Sequence, residues 1–467
     1  MKIQFLGANR QVTGSRYCLT TDKSQILVDC GMFQERAFEH RNWECCPVPA
    51  GGLDCVVLTH AHIDHCGLLP RLAGEGFHGP IYTTHPSEDL TRIMLKDAAK
   101  IQMEDVKYKE RRHKKEGRTG SHPYVPLFDE DDAEKSCRQL KGVNYYERKQ
   151  LTEDVAVTFH DAGHILGSAS LEFTITTSAG ERTFVFSGDI GQWGKPLIRD
   201  PSLFRRADYV VMESTYGNRV HENGGDVSEQ LAAVIRRTAA RGGKVVIPTF
   251  AVERAQELIY YIARLVHDER IPDISVYLDS PMAVDVVEVF RENKQAYDEE
   301  TWNLIAKGMP PLHFRGLHLI RSAKESKAIN EVREPAVIMS TSGMCTSGRI
   351  KHHLRHHISN ERNTILFVGY QGVGTLGRQI LDGNREVRIH GRSYEVRAEV
   401  TQIYGFSGHA DRPALLRWVD SFDTPPKQLF LTHGDEDSAE SLALEIRNRN
   451  RDWNVLIPQY KQVVELE

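Results

Sequence analysis

Apolar and polar positions alternate in short bursts at both ends of the chain and give way to longer, helix-spaced runs in the middle. Residues 2–8 (KIQFLGA), 15–21 (SRYCLTT), 24–31 (SQILVDCG) and 53–59 (LDCVVLT) read as a β-meander of short strands with tight turns. Residues 79–87 (GPIYTTHPS) add a strand, and residues 89–151 turn helical and charged. Strands return between residues 151 and 213. Beyond them, four strand-then-helix units, beginning at KVVIPTF, ISVYLDS, AVIMSTSG and NTILFVGY, predict a parallel sheet with its own core. The last segment supplies two more strand ends, in EVTQIYGFSGHAD and KQLFLTHGDED.

The chemistry-bearing residues gather at those strand ends. The apolar run Val56, Val57, Leu58 leads into His60, His62, Asp64 and His65, after which Gly67, Leu68, Leu69 and Leu72 begin a helical stripe. Two residues apart in extended chain, His60 and His62 point the same way, while Asp64 and His65 follow the turn and can face a second point. Three imidazoles and a carboxylate suit zinc, and two ions about 3.5–4 Å apart serve displacement at phosphorus or a carbonyl. Asp29, His164, Asp189, Glu213, His409 and His433 also lie at strand ends, which is how α/β folds assemble a site. Two Gly-rich turns, SGMCTSGR (342–349) and GYQGVGTLGR (369–378), can offer backbone N–H groups to phosphate, although neither is a Walker loop or a dinucleotide fingerprint.

Composition narrows the setting. The 467 residues suffice for two or three domains, and 40% hydrophobic content suits a soluble protein. A net charge of -5 leaves any nucleic-acid groove to be local rather than global. Eight cysteines without a CxxC pair predict reduced thiols in a cytoplasm, and no stretch of ~18 apolar residues predicts a membrane span. Two features stand apart from the strand ends. Residues 107–118 carry seven Lys or Arg against two Glu, which reads as a solvated helical hairpin or as a basic rim for a polyanion. His352, His353, His356 and His357 stand at i, i+4 spacing, which reads as a basic helix more readily than as a third metal site.

Taken in order, Asp29, HAHIDH (60–65), His164, Asp189, Glu213 in VMEST, the SGM and GT turns, FSGHAD and THGD resemble the metallo-β-lactamase superfamily. Within it they are most similar to the β-CASP nucleases, the group that includes RNase J and the endonuclease that cuts pre-mRNA before polyadenylation. The resemblance implies an α/β fold, an αββα metallo-β-lactamase sandwich over residues 1–212 and 396–467, with a β-CASP domain, a parallel sheet flanked by helices, inserted at 213–395. It implies two zinc ions per chain, one on His60, His62 and His164, the other on Asp64, His65 and His433, with Asp189 bridging. Asp29 would orient the ligand loop from behind. Glu213 and His409 would form an acid pair beside the scissile phosphate, with Asp64 and Asp189 managing protons. Ser342, Gly343, Gly374, Thr375 and Arg378 would contact RNA phosphates. RNA-directed members carry histidine at the position of His433. Two departures stand out, SGH in place of SAH and GVGT in place of GxEGT, and neither removes a ligand.

The expected activity is hydrolysis of single-stranded RNA through a metal-bridged hydroxide, leaving 5′-phosphate and 3′-hydroxyl ends. Endonucleolytic cutting in the cytoplasm is favoured over 5′-to-3′ exonuclease action, and the resemblance admits a homodimer. Cleavage of DNA, hydrolysis of a thioester or lactam, and a silent RNA-binding scaffold are the competing classes.

Overall fold

The computed structural model describes residues 1–119, 123–222 and 225–467. It divides into two compact units, one of residues 1–193, 200–220 and 409–467, the other of residues 194–199 and 221–408.

The first unit holds two seven-stranded sheets face to face. One runs Val463–Glu465, Lys2–Gly7, Arg16–Thr20, Gln25–Val28, Cys55–Val57, Ile81–Thr84, Leu140–Val143. The other runs Val455–Leu456, Gln428–Thr432, Tyr209–Glu213, Gly180–Phe186, Ala169–Thr177, Val155–Asp161, Arg148–Gln150. Alternation in the strands decides which face each residue takes. Ile3 and Phe5 from one sheet meet Phe159, Phe173, Phe184 and Phe430 from the other in a fully buried layer. Truncating one such phenylalanine to alanine costs about 3–5 kcal/mol. Helices cover both outer faces. Helices Leu69–Gly74, His85–Lys115 and Glu130–Gln139 pack on the first sheet, and Arg412–Val419 and Glu436–Arg449, with Trp418 buried between them and the strands, on the second. This is an αββα sandwich.

The N-terminal meander needs one correction. The first three strands pair antiparallel, but Cys55–Val57 pairs parallel to Gln25–Val28. The 26 residues between those two strands carry the chain back over the sheet instead of turning a hairpin.

The second unit is a six-stranded, wholly parallel sheet in the order Leu317–Ile320, Ser275–Asp279, Ala336–Ser340, Lys244–Pro248, Thr364–Phe367, Glu399–Gln402. The four expected strand-helix units supply the centre, and Leu317–Ile320 and Glu399–Gln402 are added at the edges. The units divide at 220/221 and 408/409, later in the chain than the expected 212/213 and 395/396. Glu213 is the last residue of a strand paired to Gln428–Thr432, and Tyr216 bridges Asp411, so the first unit keeps the chain a little longer. Glu399–Gln402 pairs with Thr364–Phe367, so the second unit does the same. No helix among the described residues is long and apolar enough to cross a membrane.

Candidate metal centre

His60 follows the buried strand Cys55–Val57, His62 is the extended residue before the one-turn helix Ile63–Cys66, and Asp64 and His65 lie in that turn. The turn is pulled down onto the chain behind it. Cys30 N donates to the His65 carbonyl at 2.7 Å and Ser15 N to the Asp64 carbonyl at 2.8 Å. A β-carbon on Gly31 would stand 1.6 Å from that Asp64 carbonyl oxygen, so only glycine allows the approach. The loops of His164 and Asp189 meet in the same way, since a β-carbon on Gly191 would stand 1.6 Å from the Gly163 carbonyl oxygen. Ala410 N, next to His409, donates to the Ile190 carbonyl at 2.7 Å, and Ser214 N, next to Glu213, to the His433 carbonyl at 3.2 Å. Loops distant in sequence are thus sewn together by backbone hydrogen bonds.

The side chains fall into two donor sets that share one carboxylate. In the first, His62 Nδ1 lies 3.1 Å from both His60 Nε2 and His164 Nε2, and the latter two lie 3.4 Å from Asp189 Oδ2. In the second, His65 Nε2 and His433 Nε2 are 3.1 Å apart, stand 3.3 and 3.5 Å from Asp189 Oδ1, and His433 is 3.4 Å from Asp64 Oδ2. Four donors around a tetrahedral zinc, at bonds of 2.0–2.1 Å, are separated by about 3.3 Å. The spacing therefore fits. Asp189 Oδ1 is also buried without a hydrogen-bond partner, a costly state that a cation relieves. These residues can hold metal at two adjacent points, with Asp189 facing both.

The surrounding groups set proton positions. Burial pushes the His60 and His62 imidazoles down to about 3 and about 4, which leaves neutral rings with lone pairs to donate. Asp29 accepts from Thr59 N at 2.8 Å and lies 2.7 Å from His65 Nδ1, so it stands behind the ligand turn and directs His65 Nε2 inward. Thr215, which the sequence reading passed over, does the same for His433. Its single hydroxyl hydrogen has two acceptors, Glu213 Oε2 at 2.5 Å and the His433 carbonyl at 2.9 Å, so at 3.0 Å from His433 Nδ1 the oxygen accepts, and His433 Nε2 is left to face the cluster. A hydroxyl two residues after Glu213 was the available signal, and it is a weak one because threonine is common at strand ends. Thr59 was missed for the same reason.

His409 differs from the other imidazoles. Its Nδ1 lies 3.1 Å from Glu213 Oε2, and its Nε2 lies 3.8 Å from Asp189 Oδ2. Burial alone would lower it, but Glu213 and Asp189 outweigh burial and hold it up at about 9. Glu213 is itself fixed by Ile190 N, which donates to Oε1. The pair can hold a proton at the edge of the donor sets.

The comparisons with known proteins follow the same division of the chain. The Metallo-beta-lactamase superfamily domain matches residues 18–187 and the Beta-Casp domain residues 255–380. The Zn-dependent metallo-hydrolase RNA specificity domain matches residues 393–458. Ribonuclease TTHA0252 of Thermus thermophilus is 37% identical over 452 residues, 97% of each chain. The chain belongs to the β-CASP family of metallo-β-lactamase hydrolases. The chain is also similar to the transcription termination factor FttA of Methanosarcina mazei, 32% identical over 96% of this chain and 69% of its own, and to an RNase J-like protein of Methanocaldococcus jannaschii, 28% identical over 99% and 98%. A crystal structure of a protein of unknown function from Enterococcus faecalis shares the fold, with a TM-score of 0.57 and 12% identity over 100% and 99% of the two chains. As a β-CASP member the chain is a metal-dependent hydrolase.

The remaining expected site residues lie in the other unit. Ser342 Oγ accepts from Thr346 N and Ser347 N within its own turn, and Gly343 packs under Phe250, where a β-carbon would come within 2.7 Å of the ring. Gly374 has φ +84° and open space around it, Thr375 caps the helix Leu376–Leu381 by accepting from Arg378 N, and Arg378 pairs with Asp382 at 2.8 Å. Of the four clustered histidines, His353 and His357 are buried while His352 and His356 lie on the outer side of the helix.

Proposed function

We propose that the protein is a zinc-dependent ribonuclease that hydrolyses internal phosphodiester bonds of single-stranded RNA in the cytoplasm, leaving 5′-phosphate and 3′-hydroxyl ends. The observation that carries the reading is the His409–Glu213 pair, 3.1 Å apart, beside two donor sets that share Asp189. When bound, two divalent ions supply an activated water and neutralise charge on a phosphate. The chain's own residues do the rest. His60, His62 and His164 would hold one ion and Asp64, His65 and His433 the other, with Asp189 facing both sets. His409 Nε2 carries a proton for the departing 3′-oxygen, whose high basicity makes it a poor leaving group without one. Glu213 keeps the His409 Nδ1 proton in place and the ring charged. Asp64 or Asp189 accepts the proton that the attacking water gives up.

RNA as substrate is supported by the match to an RNA specificity domain and by the relatives named ribonuclease and RNase J-like. The site chemistry has no need of the RNA 2′-hydroxyl as nucleophile, so a preference for RNA comes from binding. The turns at Ser342–Gly343 and Gly374–Thr375, with Arg378, are the proposed phosphate contacts. Eight cysteines, all free thiols, fit a reducing compartment.

Digestion of circular and of end-labelled RNA with the zinc-loaded protein tests the reading. Cutting of the circle to products with 5′-phosphates is expected. Consumption of linear RNA alone, from its 5′ end, would replace endonuclease by exonuclease, and inertness toward both with matched DNA cut would remove RNA as substrate.

A further inference from the structure

The helix His85–Lys115 runs for 31 residues, about 46 Å at 1.5 Å per residue, yet its buried residues end at Ala99. In the second half one edge is covered by the returning chain. Leu127 N donates to Gln102 Oε1 at 2.9 Å, and His113 Nδ1 lies 2.8 Å from the Tyr124 hydroxyl. At 100° per residue, the opposite edge gathers Ile101, Glu104, Tyr108, Arg111 and Lys115, with Lys107 beside them, so that from Lys107 onward its charges are all positive. Tyr108 is 64% exposed.

We propose that this half-helix is an RNA-binding arm in which Lys107, Arg111 and Lys115 contact backbone phosphates and Tyr108 stacks on a base. The proposal rests on the ribonuclease reading. Three features carry it. First, Lys107, Arg111 and Lys115 form an i, i+4, i+8 row of like charge, which destabilises a helix by about 0.2–0.5 kcal/mol per pair, where a merely solvated face would alternate sign. The helix dipole favours cations only in the last turn, so it accounts for Lys115 and not for Lys107. Second, the neighbouring Arg112 and Arg118 both pair with Glu116, at 3.0 and 2.6 Å, whereas Lys107, Lys109, Arg111, Lys114 and Lys115 form no ion pair with a described residue. Third, an exposed aromatic ring three and seven residues from cations on one face is the combination that holds single strands, by stacking and by charge. In a chain of net charge -5 this is a local attraction for a polyanion. A protein or lipid partner would be expected to meet a wider apolar strip than Ile101 and Tyr108 provide.

The arm has a definite reach. The helix begins beside the loop that carries His164, where the Thr84 and Ser87 hydroxyls donate to the Gly167 carbonyl at 2.6 and 2.8 Å. Tyr108 stands about 35 Å further along the axis. An RNA of ~6 nucleotides, about 20 Å long when stacked at 3.4 Å per nucleotide, held at the metal centre falls short of it, and one of ~30 nucleotides does not.

The test uses the full-length protein carrying Lys107→Gln, Arg111→Gln and Lys115→Gln together, and separately Tyr108→Ala. Glutamine is a good helix former, and circular dichroism verifies that the helix is kept. For the ~30-nucleotide single strand, the triple variant should weaken binding about tenfold or more at low salt and reduce the slope of log Kd against log salt by about 2, at roughly 0.7 per lost phosphate contact. Tyr108→Ala should weaken the same RNA about fivefold or more with the slope unchanged. Cleavage of the ~6-nucleotide RNA should not change, and Lys107→Arg with Lys115→Arg should retain wild-type binding. An unchanged Kd and slope on the long RNA, or a loss that falls equally on both lengths, overturns the proposal. Failure of the wild type to hydrolyse either RNA would remove the ribonuclease reading instead, and binding of the long strand would still decide the arm.

Discussion

The chain has two dense groups of histidines, and they are built to opposite ends. In the first unit, His60 Nε2 meets His62 Nδ1 and His65 Nε2 meets His433 Nε2, each at 3.1 Å, around Asp189, whose Oδ1 is buried without a hydrogen-bond partner. In the second unit, His353 is equally buried but is matched on both sides, with Nε2 2.6 Å from Asp279 Oδ2 and Nδ1 3.1 Å from Asn330 Oδ1. Asp279 in turn receives Arg349 at 2.6 Å and the Ser326 hydroxyl at 2.5 Å. Density of histidine is common to both. In the first, donors from several loops converge on a buried carboxylate oxygen that lacks a hydrogen-bond partner, whereas in the second a single nitrogen, His357 Nε2, is buried without one, and that convergence distinguishes a candidate metal centre from a structural network.

Replacing the shared carboxylate should give the largest effect. Asp189→Ala removes a donor from both sets, so metal content measured by elemental analysis should collapse and hydrolysis should fall at least ~10³-fold. If Asp189→Ala still holds two ions, the contrast between the two groups is wrong. The matching change in the second unit should act on stability instead. Asp279→Ala leaves His353 and Arg349 without their buried partner and should cost about 3 kcal/mol in denaturant unfolding with metal content unchanged. Its pH dependence has a definite sign. Burial would raise the Asp279 carboxyl, but the hydrogen bonds from His353, Ser326 and Arg349 prevail and lower it. The wild type's advantage over Asp279→Ala should therefore be full above about pH 4, the unfolded aspartate value, and should shrink as pH falls through the lowered folded value. A smaller effect is expected at Thr215. Thr215→Val removes the acceptor for His433 Nδ1 and the donor to Glu213, and should lower zinc affinity or turnover by about 10- to 100-fold. An unchanged affinity and turnover would reduce Thr215 to a packing role.

The membership of the first cluster was legible because its residues stand at strand ends, where the parallel and mixed strands deliver side chains to one edge. HAHIDH, His164, Asp189, Glu213 and His433 each follow an apolar run, and that pattern survives in a linear sequence. The hydroxyls of Thr59 and Thr215 were not legible, since their roles depend on which nitrogen of a neighbouring ring faces them. The inserted parallel sheet was readable from strand-helix units, whereas the αββα layering came from the family resemblance and not from alternation. The edges of that sheet were less readable. Leu317–Ile320 is short and was not read, and Glu399–Gln402 was read as a strand but assigned to the last segment, since its sequence does not record that it pairs with Thr364–Phe367. The parallel pairing of Cys55–Val57 was hidden for another reason, since local alternation does not record strand direction. Likewise, i, i+4 spacing gave His352–His356 and His353–His357 equal standing, and only the packing of the helix, which buries His353 and His357 and sets His353 against Asp279 and Asn330, separated the two pairs.

The central claim is that the donor sets hold the metals and His409 delivers the proton, so that the two functions are separable. Metal content and single-turnover RNA cleavage measured together on His409→Ala test it most directly. The account predicts two zinc ions per chain, as in the wild type, with cleavage slowed about 10²- to 10⁴-fold. Cleavage at the wild-type rate with both ions in place would contradict it.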